Sequence, residues 1–453
     1  MDSIAFAPAH VLARAIHERH MSAVEVVEHY LGRIARHNPA LNAVVTLAAD
    51  AARARAQAAD AALANGVVWG PLHGVPMTLE DCHATARIRS TWGGLTPLRD
   101  HVPAADSTAA HRLLTAGAIL LGKSNGPAIW GDDGLFSRAN NPWNTAYSPG
   151  GSAAGPAVAV AAGLSAFDVG LDTTGSIQWP AHCCGIYAMR PTEHRVPLTG
   201  AFFIDPIRKF RVLSVIGPMT RSVEDLQLLL PILAGPDGDD THVPPMPWHP
   251  VTASLESIRV AWTARLSGMH IDDRISAAIE ELARRVAGAG GTVAEAHPSI
   301  NFVAQHKLAD TLFAIVAGAF SESGPWPAES TLDAYFSALG ERDRFMQVWD
   351  HFFSAWDVLL CPACGCTATA HESPAPMVNG KALLADDASG PFLPLANGPV
   401  SGCPVIVMPL GHDECGMPFG IQLIGRRWDD ERLLAIAAQI AKLTDGYQAP
   451  PQM

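Results

Sequence analysis

Residues 147–192 read "YSPGGSAAGPAVAVAAGLSAFDVGLDTTGSIQWPAHCCGIYAMRPT", and this stretch decides the fold because helix and strand patterns alternate in it. A glycine-rich turn enters a short apolar helix, the strand "SAFDVGL" follows, and a second glycine-serine turn comes directly after that strand. Later segments repeat the alternation, with the strand "IRVAWT", a helix over 273–287 and the strand "TVAEA". Strands that alternate with helices predict an α/β fold with a central mixed, twisted β-sheet and helices on both faces.

The composition predicts a single large domain over residues 1–453. Of its residues, 48% are apolar and only 17% are charged, so a large core can form and extensive disorder is excluded. We see no repeat of fixed period and no low-complexity linker in the sequence. A division into separate domains is therefore not indicated.

The charge and the hydropathy pattern exclude several classes of partner. A formal net charge of −13 disfavours nucleic acid and anionic membrane surfaces. The sequence has no uninterrupted run of about 18 apolar residues, which is what a membrane-spanning helix requires. The N-terminus lacks the basic start and clean apolar stretch of a signal peptide. We therefore expect a cytoplasmic protein.

Outside the central stretch, several segments have clear secondary-structure patterns. Ser22 and Glu25 have capping-box spacing at the start of a helix, and Pro39 is expected to lie beyond its end. Residues 301–356 are predicted to be mainly helical. The segment 365–400 is rich in proline, glycine and alanine, which predicts a long irregular loop that covers a site.

Ser152 and Ser176 are the candidate nucleophiles. Each follows glycine in a tight turn, and such turns can point backbone N–H groups at one spot, as an oxyanion requires. A serine nucleophile also needs a base. On spacing alone, purely structural turns remain the alternative interpretation.

The same stretch resembles the amidase signature family. The family hallmark is a glycine-serine turn, then Gly-Ser-Ile about two dozen residues later, then Pro-Ala and Cys-Gly. Further matches in the family's order are "GPLHGVP", "GAILLGKSN", "NNPWN", "MRPT" and "PFGIQLIGRRWDDERLLAIA". The resemblance covers nearly the whole chain, with a signature core over about 69–235 and a more variable helical and loop substrate region over about 300–400.

The resemblance implies a role for each serine turn. It makes Ser176 the nucleophile and Ser152 the bridging serine, reached through a cis peptide bond. The implied oxyanion hole consists of the backbone N–H groups of four residues: Thr173, Thr174, Gly175 and Ser176. The family usually has glycine where Thr174 stands and arginine where Gln178 stands, so the turn departs from the pattern at two positions.

The third catalytic position departs further from the family pattern. The family pattern is Gly-Ile/Val-Pro, three further residues and then a lysine, and in the ungapped match Gly74-Val75-Pro76 leads to Glu80 at the lysine position. A carboxylate accepts a proton but cannot donate a hydrogen bond, and burial could raise its pKa to where general-base catalysis is efficient. Because glutamate is shorter than lysine, its contact with Ser152 is expected to need a water or a shifted backbone.

Three functions follow from this substitution. The first is an active serine hydrolase with a Ser176–Ser152–Glu80 relay that acts on a small-molecule amide, ester or carbamate. The second is a catalytically impaired member of the family that binds a small molecule or a partner. The third is a changed chemistry, either acyl transfer or a condensation.

Other residues are candidates for auxiliary or substrate-binding roles. His83 and His182 are candidate auxiliary bases, with satisfied or exposed histidines as the alternative. Trp130 is expected to form a wall of the acyl pocket, and Asp132 and Asp133 to attract a cationic substrate, with a solvated loop as the alternative.

No metal, nucleotide or redox cofactor is implied, since serines and backbone donors supply the chemistry. "CPACGC" (361–366) is one half of a metal-site pattern without its partner, so a turn is the favoured interpretation. The expected partner is a small-molecule substrate, and the sequence also allows a homodimer. Subunits of tRNA-dependent amidotransferases have the same signature and would need partner chains, but such subunits keep the lysine.

Overall fold

The computed structural model describes residues 2–126, 135–201, 211–318, 331–373, 375–383, 390–451 and 453. Helices lie at Asp2–Ala5 (α1), Ala9–His17 (α2), Ala23–Leu41 (α3), Ala49–Ala64 (α4), Thr108–Thr115 (α5), Ala154–Ala161 (α6), Gln178–Cys184 (α7), Val223–Leu233 (α8), Asp273–Gly288 (α9), Phe302–Gly318 (α10), Leu332–Ala355 (α11), Asn397–Ser401 (α12) and Asp430–Ala441 (α13). Strands lie at Val44–Leu47 (β1), Pro76–Glu80 (β2), Ile119–Ser124 (β3), Asp168–Asp172 (β4), Tyr187–Arg190 (β5), Val215–Thr220 (β6), Arg259–Trp262 (β7), Thr292–Glu295 (β8), Val358–Pro362 (β9), Met377–Val378 (β10), Lys381–Ala382 (β11), Val405–His412 (β12) and Pro418–Ile424 (β13).

The main sheet has eight strands within the described residues, in the order β4-β6-β5-β12-β13-β9-β7-β8. Neighbouring strands from β4 to β9 are antiparallel, whereas β7 is parallel to both β9 and β8. The mixed sheet is flanked by helices of the same domain, so the predicted α/β fold is confirmed. The interior helix α6 is buried along its whole length.

A smaller sheet, not expected from the sequence, carries Glu80. It has the order β1-β3-β2, and Glu80 is the last residue of β2. Its β2 strand runs beside the free edge of the main sheet, where the Thr78 N–H donates to the Phe167 carbonyl at 3.4 Å and the Ala166 N–H donates to the Pro76 carbonyl at 3.3 Å. This contact places the end of β2 next to β4, the strand that leads into the Ser176 turn.

Helix α3 confirms one prediction and corrects another. Ser22 Oγ accepts from the Glu25 N–H at 3.1 Å, and the Ser22 N–H donates to Glu25 Oε2 at 2.8 Å, so the predicted capping box is present. The expectation that Pro39 lies beyond the helix is wrong, because the helix runs to Leu41. The helix ends instead where Asn42 adopts a left-handed conformation, with φ 49°.

The described residues between 300 and 400 are largely helical. The helices predicted over 301–356 are confirmed by α10 and α11. The end of the segment 365–400 is not the irregular loop that its composition predicted. It forms a 3₁₀ helix at Gly390–Ala396 and then α12, because the apolar side chains of "PFLPLA" pack inward; of this 3₁₀ helix only Phe392 is half-buried rather than buried.

None of the helices within the described ranges combines the length and the apolar character that crossing a membrane requires.

Candidate active site

The Ser152 turn lies directly against the start of α7. The Gly151–Ser152 peptide bond is cis, as the family resemblance implies. Gly150 has φ +79°, and a methyl group on it would lie 2.9 Å from the Pro180 nitrogen, so only glycine fits there. The Ala153 N–H donates to the Ser176 carbonyl at 3.1 Å. The two serine turns are therefore joined by a backbone hydrogen bond.

The Ser176 turn is held from inside the protein by Asp172, the last residue of β4. Its carboxylate accepts from the Gly175 N–H at 3.0 Å and from the Ile177 N–H at 2.9 Å. Arg190 Nη1 pairs with the same carboxylate at 2.6 Å, and both side chains are fully buried. Ser176 itself is half-buried, so the contacts of Asp172 hold this serine at the edge of the core.

The expected oxyanion hole has unequal donors. The Gly175 N–H is already engaged by Asp172, as described above. In the part of the chain that the structure describes, the N–H groups of Thr173, Thr174 and Ser176 have no hydrogen-bond acceptor. The side chain of Thr173 is bonded, Oγ1 to Ser214 Oγ at 2.9 Å, but this contact leaves its N–H free. We therefore expect Thr173, Thr174 and Ser176 to contribute the main donors.

Glu80 lies beneath the junction of the two serine turns. A methyl group on Gly170 would lie 3.2 Å from Glu80 Oε2, 3.2 Å from Ala153 Cβ and 3.3 Å from Ile177 Cγ1. Ala153 directly follows Ser152 and Ile177 directly follows Ser176. The absence of a side chain at Gly170 thus leaves the space into which the carboxylate fits, between the residues that follow the two serines.

The Glu80 carboxylate is bonded to the backbone of the neighbouring strand. Its Oε2 accepts from the Leu171 N–H at 2.7 Å, at the edge of β4 that faces the smaller sheet. Among the described residues, we find no hydrogen bond between this carboxylate and the hydroxyl of Ser152 or Ser176. A direct relay would need a side-chain rotation or an intervening water.

Burial dominates the electrostatics of Glu80. Only 3% of the residue is exposed. Burial raises the pKa of Glu80 to about 8; the Leu171 N–H opposes this rise, and the nearby Asp168 carboxyl adds to it. At neutral pH the group is therefore mainly protonated, and it becomes a base as the pH rises.

This pKa makes stability depend on pH in a defined direction. Glu80 has an ordinary pKa near 4.5 in the unfolded chain and about 8 in the fold, so the folded state holds more protons between these values. As far as Glu80 determines it, the free energy of unfolding is therefore highest below about pH 4.5 and falls as the pH rises towards 8. Compared with Glu80→Gln, the native protein should lose on the order of 3 kcal/mol more unfolding free energy between pH 5 and 8.

Urea unfolding at a series of pH values measures this difference. Glu341→Gln is the matched control, because Glu341 is exposed on α11 and should leave the native slope unchanged. Equal slopes for the native protein and Glu80→Gln would show that Glu80 does not hold its proton more tightly in the fold.

Two further buried ionisable residues, which were not among the residues predicted for the site, lie next to Glu80. Asp168 accepts from Thr78 Oγ1 at 2.5 Å, and burial raises its pKa to about 7. Lys123 is fully buried on β3 and donates to the His83 carbonyl and to Thr85 Oγ1. The sequence carries a signal for both residues, which is a charged residue inside an apolar strand pattern, as in "SAFDVGL" and "AILLGKS".

The two candidate auxiliary histidines are buried and neutral. Burial, with the nearby Lys123 ammonium, lowers the pKa of His83 to about 3. His182 Nδ1 accepts from the Gly420 N–H at 3.0 Å, and its Nε2 lies 2.9 Å from the Cys366 carbonyl. Burial also lowers the pKa of His182 to about 4. The geometry therefore favours a structural role for His182, since both ring nitrogens are engaged.

Trp130, Asp132 and Asp133 lie outside the described residues, so their contact with substrate remains a prediction of the sequence. The structure shows a different aromatic pair close to the Ser176 turn. The rings of Trp179 and Phe392 meet edge to face, with their centroids 5.2 Å apart. Leu395, on the same 3₁₀ helix as Phe392, would lie 2.8 Å from a methyl group on Gly175. This helix therefore packs on the Ser176 turn.

The cysteines of "CPACGC" lie within the apolar packing. Cys361, Cys364 and Cys366 are all buried, and the Sγ atoms of Cys364 and Cys366 are 3.9 Å apart. Cys364 and Cys366 pack with Val378.

Comparison with known proteins gives consistent matches along the chain. Residues 25–324 and 303–434 match the model of the Amidase family. The chain is 30% identical to a glutamyl-tRNA(Gln) amidotransferase subunit of Synechococcus sp. (strain CC9605), with 95% of each chain covered. It is also 30% identical to indoleacetamide hydrolase of Bradyrhizobium diazoefficiens, over 94% of this chain and 84% of that protein.

Solved structures have the same fold. A bacterial aryl acylamidase of the amidase signature family superposes with a TM-score of 0.86 at 24% identity, over 96% of each chain. The 6-aminohexanoate cyclic dimer hydrolase superposes with a TM-score of 0.81 at 23% identity, over 99% of each chain. The family match spans most of the sequence and the curated relatives cover more than nine tenths of it, so the chain belongs to the amidase signature family of enzymes.

Proposed function

We propose that this enzyme hydrolyses the C–N bond of a small-molecule amide, or the corresponding ester or carbamate bond, through an acyl-enzyme on Ser176. Ser152 is the bridging serine, and Glu80 takes the place of the usual lysine. The surroundings of Gly170 carry the proposal. A methyl group on Gly170 would lie within 3.3 Å of Glu80 Oε2 and of the side chains of Ala153 and Ile177, the residues that directly follow the two serines.

The proposed reaction moves one proton along three side chains. Ser176 Oγ attacks the substrate carbonyl and gives its proton to Ser152, which passes its own proton to Glu80. The backbone N–H groups of the oxyanion turn stabilise the negative oxygen. The leaving amine then takes a proton from Ser152, which regains one from Glu80. Attack by water on the acyl-enzyme repeats the sequence and restores Ser176.

The raised pKa of Glu80 suits both halves of this cycle. Ionised, the carboxylate accepts the proton from Ser152; protonated, it returns that proton to the leaving group. Because the pKa is about 8, neutral solution leaves only a minority of the protein with an ionised base. Activity should therefore be higher in mildly alkaline solution.

The aromatic pair supports a substrate with an apolar group. Trp179 lies three residues after Ser176 and is half-buried, as is Phe392. Partly exposed aromatic rings beside a nucleophile favour contact with an aryl or branched aliphatic group. Trp130, Asp132 and Asp133 are proposed as further substrate contacts.

One observation favours the impaired alternative, in which the protein binds but does not turn over. The Glu80 carboxylate is bonded to Leu171 rather than to Ser152, at 2.7 Å. If that bond persists with substrate present, Ser152 has no acceptor for its proton.

Labelling with a fluorophosphonate separates these two functions. An activated Ser176 should form a covalent adduct within minutes at pH 8, and mass spectrometry should place it on the peptide that contains Ser176. Ser254→Ala, at a site distant in sequence, is the control and should label normally. Absence of an adduct in the folded native protein would favour the impaired alternative. Product analysis with added amines or alcohols separates hydrolysis from acyl transfer.

A role in a complex is a further alternative, because the relatives include an amidotransferase subunit. Glu80 stands where the family resemblance implies a lysine, which disfavours this role. Co-purification of the native protein with a larger partner chain would reopen it.

A further inference from the structure

Buried polar side chains from α10, α11, α12 and β13 follow one another behind the Ser176 turn. We propose that four side-chain amides form a one-directional hydrogen-bond chain that positions this turn for catalysis. The amides are those of Gln305, Asn397, Gln422 and Gln178. The inference rests on the proposed function in taking Ser176 as the nucleophile.

The chain begins at an indole and ends at the carboxylate that clamps the turn. Every member has at most 1% of its surface exposed. In order, the contacts are Trp349 Nε1 to Gln305 Oε1 at 2.8 Å, Gln305 Nε2 to Asn397 Oδ1 at 2.9 Å, Asn397 Nδ2 to Gln422 Oε1 at 3.4 Å, Gln422 Nε2 to Gln178 Oε1 at 2.9 Å, and Gln178 Nε2 to Asp172 Oδ2 at 3.4 Å.

The two ends fix the direction of every amide between them. The indole N–H of Trp349 can only donate, so it requires the oxygen of the first amide. At the other end, Asp172 accepts from Arg190 at 2.6 Å and from two backbone N–H groups, so it requires a donor from Gln178. Each amide therefore accepts on one side and donates on the other. Hydrogen bonds aligned in this way polarise and strengthen one another.

Gln422 has a second contact that points to the same turn. Its Nε2 also donates to the Pro394 carbonyl at 3.2 Å. The next residue, Leu395, packs on Gly175, where a methyl group would lie 2.8 Å from its Cβ. Gln422 thus acts on the Ser176 turn by two routes, through the Asp172 carboxylate inside the turn and through the 3₁₀ helix packed against it.

The burial of these amides makes the chain sensitive to the loss of any member. An unpaired buried polar group destabilises the fold, so the protein lowers its free energy by keeping the whole series of amides connected. Because Trp349 lies on α11 and Gln305 on α10, the chain ties the predicted substrate region to the nucleophile. We assign the four amides as positioning residues, since they reach the reacting atoms only through Asp172 and the turn.

Hydrogen exchange tests this positioning role without requiring turnover. The measurement follows the peptide spanning 172–178, which contains the Gly175 and Ile177 N–H groups bonded to Asp172. Gln422→Met and Gln178→Met keep the side-chain length but remove the amide, and exchange of this peptide should accelerate about tenfold. Trp349→Phe removes the terminal donor together with part of a buried ring, and it should give a smaller acceleration in the same peptide because the amides next to the turn are kept.

Phe353→Leu is the matched packing control. Phe353 stacks on Trp349, with ring centroids 6.0 Å apart, so this variant disturbs the same helix while keeping the indole N–H. It should leave exchange of the 172–178 peptide unchanged. Unchanged exchange in Gln422→Met and Gln178→Met, or equal acceleration in Phe353→Leu, would overturn the inference.

Kinetics provide the second readout. For a substrate that the native protein hydrolyses, Gln422→Met should lower kcat about tenfold and leave KM within about threefold of the native value. A displaced Ser176 turn affects mainly the transition state, so the loss should be in kcat. The pH dependence of kcat/KM should keep its inflection near pH 8, since Glu80 is not part of the chain of amides. A loss confined to KM would contradict the positioning role. If the native protein shows no turnover, the proposed hydrolysis fails, and the exchange measurement still decides the inference.

Discussion

Ser176→Ala should lower kcat/KM by about 10⁴-fold or more, to the limit of detection. The residue is half-buried between the Gly175 and Ile177 N–H groups that Asp172 holds, so the substitution removes the proposed nucleophile without disturbing these contacts. Ser152→Ala should lower kcat/KM by about 10²–10⁴-fold, because the proton transfer then lacks its bridge.

The double variant distinguishes two serines that act in one relay from two serines that act independently. Residues that act in one relay are not additive, so Ser152→Ala/Ser176→Ala should be no less active than Ser176→Ala alone. Initial rates with an aryl amide, normalised to folded protein by circular dichroism, give the comparison. Retention of more than a tenth of native activity by Ser176→Ala would exclude it as the nucleophile.

Glu80→Gln should lower kcat/KM by about 10²–10⁴-fold while stabilising the fold at pH 8. The amide fills the space of the carboxyl group between Gly126 and Gly170, where a methyl group on either glycine would crowd Glu80. It cannot accept a proton from Ser152, so the base is lost with little change of shape. A concurrent gain in stability separates loss of chemistry from misfolding.

Glu80→Asp and Glu341→Gln are the comparison variants for Glu80→Gln. The shorter aspartate keeps the acid but withdraws it by one methylene, so it should retain intermediate activity. Glu341 is exposed, and its substitution should leave both activity and stability at native values. Native activity in Glu80→Gln would mean that another group accepts the proton.

The sequence was informative where local pattern determines structure. Strand and helix alternation predicted the α/β fold, and the capping box predicted the start of α3. Glycine-serine spacing with the family motifs placed both serines on turns, which the backbone hydrogen bond from Ala153 to Ser176 joins. The end of α3 was missed because a single proline near a helix end did not stop it.

Long-range partners were not predictable from local pattern. The separation of β2 into a second sheet depends on pairing between distant segments, and it decides where Glu80 meets the backbone of β4. Likewise Gln422 and Gln178 lie 244 positions apart in the sequence yet are bonded at 2.9 Å. Nothing in the pattern of either segment distinguishes these glutamines from surface ones.

The pH dependence of kcat/KM for the native protein and Glu80→Gln, from pH 6 to pH 10, tests the role of Glu80 most directly. If Glu80 is the base, the native rate rises about tenfold per pH unit below its pKa of about 8 and levels off above it. Glu80→Gln should then be at least about 100-fold slower at the plateau and lack that inflection. The same inflection near pH 8 in a fully active Glu80→Gln would contradict Glu80 as the proton acceptor of this serine site.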